Sequence, residues 1–193
     1  MSDKVLIIDG HPDPDRARYC HALCEAYGDG ARSTGHQVRV VTVAEIDAAP
    51  LRNAKEFGGA PDSVGVLQAR ADIRWCNHLV LVFPLWMGGP PAHLHAFLEQ
   101  IARQNFVAEA TPAGLHQKLR GRSARLIVTM AMPAFAYRLM FHEHGVRSVM
   151  RSILGFGGVA PVRRTYLGAI EAVSSEERTK RLAQVKELGK RAQ

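Results

Sequence analysis

Three stretches of this 193-residue chain hold the groups that could do chemistry. In Gly10–Arg18, GHPDPDRAR, an imidazole (His11) and two arginines (Arg16, Arg18) precede a helical pattern. The free N–H groups of a helix start bind anions, so a phosphate or pyrophosphate is one reading. A solvated loop with Asp15 capping the helix is the other. In Pro84–Pro91, PLWMGGPP, there is no nucleophile, acid or base. Trp86 and Met87 give a rigid apolar wall beside the loop's backbone donors. Gly88 and Gly89 let a flat ligand approach bare backbone, and the prolines stiffen the chain around them. Such a loop suits a flat aromatic that carries its own chemistry. The third stretch, Met130–Gly145, holds Tyr137, His142, Glu143 and His144. A phenol and an imidazole can stabilise a developing negative charge or deliver a proton.

Several kinds of chemistry are not expected. His142 and His144, like His93 and His95, stand two positions apart, diverge on a helix, and are joined by no Cys or Asp cluster, so no metal centre is anticipated. The three cysteines, Cys20, Cys24 and Cys76, form no CxxC and fit a reducing compartment. Cys20 and Cys24 share a helix face and read as small core residues. A net charge of +7 can attract nucleic acid, acidic membranes or phosphorylated small molecules. The arginines are scattered and accompany no recognition motif, which favours a phosphate-bearing cofactor over nucleic acid. No apolar run reaches the length of a membrane span. The start, MSDKVLIIDGHPD, does not read as a signal peptide, and the expected compartment is the cytoplasm.

The elements that must position these loops follow from the apolar pattern. Strands are expected at Lys4–Asp9, Gln37–Val43, His78–Phe83, Ala124–Thr129 and Val162–Leu167. Helices are expected from about Arg18 to Ser33, from a cap at Asp62 to about Cys76, over Ala92–Gln104 and Val146–Phe156, and from Ser174 or Ser175 to about Arg191. Phe106–Arg122 shows little periodicity and reads as an excursion. Strands alternating with helices make one α/β domain over residues 1–193, a parallel sheet covered on both faces. With five strands and no GxGxxG after the first, a flavodoxin-like three-layer sandwich of strand order 2-1-3-4-5 is expected. Its ligand crevice lies at the carboxyl ends of strands one, three and four, where the three loops fall. A phospho-receiver domain shares this fold but needs an aspartate at the end of strand three, where this chain has Pro84-Leu85.

The segments FPLWMGGPPAHLHAFLEQI, IIDGHPDPD, SARLIVTMAMP and ILGFGGVAPVR together resemble, in order and over about the whole chain, one family. It is that of the NAD(P)H:quinone oxidoreductases with a flavodoxin-like fold, the DT-diaphorase and modulator-of-drug-activity group. The resemblance implies a noncovalent flavin, FAD or FMN, reduced by NADH or NADPH and reoxidised by a quinone or related electrophile in a ping-pong sequence. It also implies a homodimer. Carried over by position, His11, Arg18, Tyr19 and Cys20 match the segment at the flavin phosphate or pyrophosphate. Pro84, Leu85, Trp86, Met87 and Gly88 match the loop along the ring system. Thr129, Met130, Ala131 and Met132 match the loop near its pyrimidine edge. Tyr137 matches a tyrosine that helps relay charge, and the family's histidine falls at His142 or His144. Met87 stands where the family often has an aromatic, Arg18 replaces a small hydroxyl residue, and Met-Ala-Met replaces a threonine- and glycine-rich loop, so substrate choice is open. An electron-transfer flavodoxin is disfavoured by the basic charge and by HPDPDRAR in place of a hydroxyl-rich phosphate loop. A regulatory ancillary subunit of a membrane transporter, as some relatives are, is the alternative.

Overall fold

A strand with apolar side chains on both faces requires cover on both. The run HLVLVFP meets this condition: in the computed structural model, which describes residues 3–193, all seven residues of β3 (His78–Pro84) are buried. It is the middle strand of a parallel sheet formed with β1 (Lys4–Asp9), β2 (Gln37–Thr42), β6 (Ser123–Thr129) and β7 (Val162–Leu167). The order is β2-β1-β3-β6-β7, the expected flavodoxin-like arrangement. The two extra strands, β4 (Ala108–Thr111) and β5 (Gly114–Gln117), pair antiparallel with each other. They occupy the stretch expected to be irregular, so the described chain has seven strands rather than five. At four residues each they are too short and too polar to show a period.

The alternation of β1 divides the core. Val5 and Ile7 face α1 (Tyr19–Ser33) and α7 (Ser175–Lys190), while Leu6 and Ile8 face the side covered by α3 (Val64–Trp75) and α4 (Ala92–Ala102). The helices α1 and α7 meet backbone to backbone. A β-carbon at Gly30 would run into the Lys186 carbonyl, and one at Gly189 into the Tyr27 carbonyl. A short helix, α2 (Ala54–Gly58), lies in the long connection after β2.

Other expectations shift at the element ends. Asp62 does not cap α3; Ser63 holds that position without a side-chain bond, and the Asp62 carboxylate instead meets Arg103 at 3.4 Å. Ser174 does cap α7, accepting the Glu177 N–H at 3.2 Å. The stretch Met130–Gly145 is not all loop but contains α5 (Ala134–Met140). The helix expected over Val146–Phe156 divides into α6 (His144–Ser148) and a π-helical turn, Val149–Gly155. No helix among the described residues is long and apolar enough to cross a membrane.

Candidate active site

The first loop leaves β1 at Gly10, whose N–H donates to the Val82 carbonyl at 2.7 Å. A β-carbon there would lie 2.7 Å from Leu94 Cδ2, so glycine is what lets the chain turn this close to α4. Buried Asp9 accepts the His11 N–H at 3.3 Å and faces His21 Nδ1 at 2.5 Å. The Asp13 N–H reaches His11 Nδ1 at 3.1 Å, and the Asp13 carbonyl lies 3.2 Å from the same nitrogen. Burial holds the His11 pKa below the usual histidine value, and the neighbouring His21 acts the same way. The His11 ring lies edge-on to Trp86 at 6.4 Å.

The arginines do not stand free for a phosphate. Arg18 pairs with Asp13 at 2.7 Å and Asp15 at 3.6 Å, and Arg16 with Glu45 at 3.3 Å. Asp15 takes the Ala17 N–H at 3.0 Å, and Arg18, at the N-cap position of α1, makes no side-chain cap. The amides of Arg16, Tyr19 and Cys20 donate to no acceptor among the described residues. The Tyr19 and Cys20 side chains are used elsewhere. The Tyr19 hydroxyl donates to the Arg178 carbonyl at 3.4 Å. Cys20 Sγ lies 3.4 Å from Thr129 Oγ1 in the core, where burial pushes its thiol up to about 12.

The second loop is a tight hairpin. Leu85 N–H donates to the Thr129 carbonyl at 2.7 Å, and Trp86 and Gly89 exchange two hydrogen bonds of 2.9 Å. Between them Met87 (φ 48°) and Gly88 (φ 81°) are both left-handed, as a type I′ turn requires. That conformation is natural for Gly88 and strained for Met87. The Met87 side chain is fully exposed and Trp86 half exposed. The amides of Met87 and Gly88 have no acceptor among the described residues, and neither do those of Ala131 and Met132 at the end of β6. Met130, by contrast, is buried and donates to the Leu167 carbonyl at 3.0 Å. Along Trp86, Met87, Pro90, Pro91 and His95 runs an open groove of about 530 Å³.

The third loop is clamped onto this hairpin. Tyr137 is fully buried; its hydroxyl donates to the Gly88 carbonyl at 2.9 Å and accepts the Val146 N–H at 3.3 Å. Gly145 lies so close that a β-carbon would strike the Gly88 carbonyl and Gly89 Cα. Next to it Glu143 is buried at φ 58°, with Arg138 at 3.0 Å, Arg164 at 3.1 Å and Arg147 at 3.4 Å. Burial pushes the Glu143 carboxyl up, but these guanidinium groups outweigh it and hold the pKa below the usual carboxylate value. His142 and His144 are exposed, with ring centroids 5.7 Å apart. No group of three or more His, Cys, Asp or Glu side chains placed to hold a metal is found among the described residues.

The loops expected to form one site do meet: His11 reaches Trp86, and Tyr137 reaches Gly88. Two features escape the sequence reading, the Asp9–His21 pair and the Glu143 cluster. Each leaves a trace. His21 lies on the same helix face as Cys24 and Gly28, a polar residue on a buried stripe. Glu143 is the one acid between Met130 and Ile170, among five arginines.

A model of the flavodoxin-like fold family matches residues 3–191. Among curated proteins, an FMN-dependent NADH:quinone oxidoreductase 3 of Burkholderia lata is 27% identical over 92 residues, 48% of this chain and 44% of that protein. The match thus spans less than half of that relative's length. Among solved structures, Smu.1420 from Streptococcus mutans is 26% identical, with a TM-score of 0.82 over 97% of this chain and 99% of its own. An FMN-dependent NADH-azoreductase from Bacillus anthracis, solved in complex with FMN, is 14% identical, with a TM-score of 0.76 over 98% of each chain. At that identity the likeness is one of fold. The strand order, the helices on both faces and a match over nearly the whole length show that this chain belongs to the flavodoxin-like fold family.

Proposed function

We propose that the chain is an FMN-dependent NAD(P)H oxidoreductase that reduces quinones or related electrophiles. The observation that carries this reading is the set of unclaimed backbone donors at Met87, Gly88, Ala131 and Met132, at the carboxyl ends of β3 and β6 beside the exposed Trp86. Ligands of open α/β sheets bind at those strand ends, and fixed amides suit a flat ring that gains negative charge. The names of the relatives add FMN, NADH and quinone or azo acceptors. A flavin bound there would supply two-electron chemistry between NADH or NADPH and the acceptor, in a ping-pong sequence.

The chain's own residues bind and orient. Trp86 and the Met87–Gly88 backbone form the wall, and the groove beside them receives a flat acceptor. The amides of Arg16, Tyr19 and Cys20 and the His11 ring are the groups for a phosphate. Arg18, held by Asp13 and Asp15, shapes the loop more than it supplies free charge. Tyr137 fixes the Gly88 carbonyl. His142 or His144 carries the proton for the acceptor; the residue before them, Phe141, lies 4.0 Å from where a Gly88 β-carbon would stand. A second copy of the chain covers Met87, Phe135, Leu139 and Met140, each more than two-thirds exposed.

The test is cofactor uptake. Incubation with FMN, then removal of free flavin, is expected to leave about one FMN per chain and an NADH- or NADPH-dependent quinone reductase activity. Protein that retains neither FMN nor FAD would contradict the proposal.

A further inference from the structure

We infer that His21 is a positioning residue that ties the first loop to β1 through both of its ring nitrogens. Both of its ring nitrogens face acceptors: Nδ1 lies 2.5 Å from an Asp9 carboxylate oxygen and Nε2 lies 3.0 Å from the Asp13 carbonyl. A carbonyl can only accept, so Nε2 carries a proton. Nδ1 and Asp9 hold a proton between them, and the other Asp9 oxygen takes the His11 N–H. His21 and Asp9 are each only 1% exposed, and buried polar groups require partners.

The His11 ring lies 5.5 Å from that of His21, within reach of the same Asp13 backbone. On the far side of the pair lies a cavity of about 360 Å³, walled by Arg16, Glu25, Asp29 and Arg32 with Cys24 and Thr42. Through the Asp13 carbonyl, His21 anchors a relay in which each amide is taken by the residue two before it. Asp13 donates to His11, Asp15 to Asp13 and Ala17 to Asp15. This relay sets the path of the loop into α1, and with it the free amides of Arg16, Tyr19 and Cys20.

The consequence for ligand binding rests on the flavin reading of the site; the anchoring does not. In protein labelled with nitrogen-15 histidine, Nε2 of His21 is expected to carry a proton hydrogen-bonded to the Asp13 carbonyl. A bare Nε2 on His21 would overturn the inference. In His21→Leu, exchange of the Asp13, Asp15 and Ala17 amides is expected to quicken at least tenfold, and the FMN dissociation constant to rise about tenfold. His21→Lys, a cation with several donors, should recover most of both. A folded His21→Leu protein with unchanged exchange would also overturn it, and if that variant does not fold, the ring signals and His21→Lys still decide. Wild-type protein that binds no FMN would remove the flavin reading while the ring signals and amide exchange still judged His21.

Discussion

Tyr137 shows how far a single residue can be read before its partners are known. Its phenol reads as a proton relay, yet in the structure its proton goes to the Gly88 carbonyl, and its oxygen takes the Val146 amide. Tyr137→Phe leaves both backbone groups without that partner, a loss of about 1–3 kcal/mol in stability. FMN affinity is expected to fall about tenfold, while turnover of the flavin-saturated variant changes by less than about threefold. Chemical denaturation, FMN titration and saturated turnover check this. A large fall in turnover with FMN affinity unchanged would place the phenol on the reacting groups instead. The residue was visible in the sequence; its bond to Gly88 was not, because that partner lies 49 positions away on another loop. The same limit hid His21 and Glu143. Their types were visible, but the contacts that hold them exist only once α1 meets β1 and α5 meets β7.

At the scale of elements, the site depends on the hairpin after β3 and the segment that leans on it. The Gly-Gly-Pro-Pro run signalled a stiff loop, and the loop is tight. Its I′ geometry was not legible, because Met87 rather than Asn or Asp takes the first left-handed position. The helix α5 was missed because it is short and apolar nearly all round, with Phe135, Leu139 and Met140 exposed and Tyr137 buried. Such a pattern has no amphipathic period to detect. Contact between the two segments predicts the effect of one methyl group. In Gly145→Ala the new β-carbon meets backbone of Gly88 and Gly89, which cannot swing aside as a side chain can. The hairpin must move, at a cost of about 1–3 kcal/mol. FMN binding should weaken at least tenfold while far-ultraviolet circular dichroism keeps the α/β signature. Wild-type affinity in this variant would show that the position of Gly88 is immaterial to the flavin.

The whole molecule was the most legible level. Buried parallel strands are near-continuous apolar runs, so KVLIID, HLVLVF and ARLIVT mark the sheet, and five strands without GxGxxG after the first point to its order. Polar groups inside that sheet now predict its acid behaviour. His78, 2% exposed at the start of β3, lies 3.0 Å from the Tyr27 hydroxyl and 2.7 Å from Ser123 Oγ. Burial, with Arg125 nearby, pushes its pKa from 6.5 down to about 4. Between those values the unfolded chain binds a proton that the folded chain refuses. The contribution is therefore complete above about pH 6.5 and is lost as pH falls towards 4, up to about 3 kcal/mol. Denaturation midpoints measured across that range should fall more steeply for the wild type than for His78→Gln; parallel profiles would contradict the assignment. At this same scale stands the central claim, that the three loops at the strand ends hold a flavin and turn it over. It is tested most directly by an anaerobic visible spectrum of the FMN-loaded protein, taken before and after NADH or NADPH and again after a quinone. The flavin band is predicted to bleach with the nicotinamide and return with the quinone. A chain that takes up no flavin, or holds flavin that neither substrate alters, would contradict it.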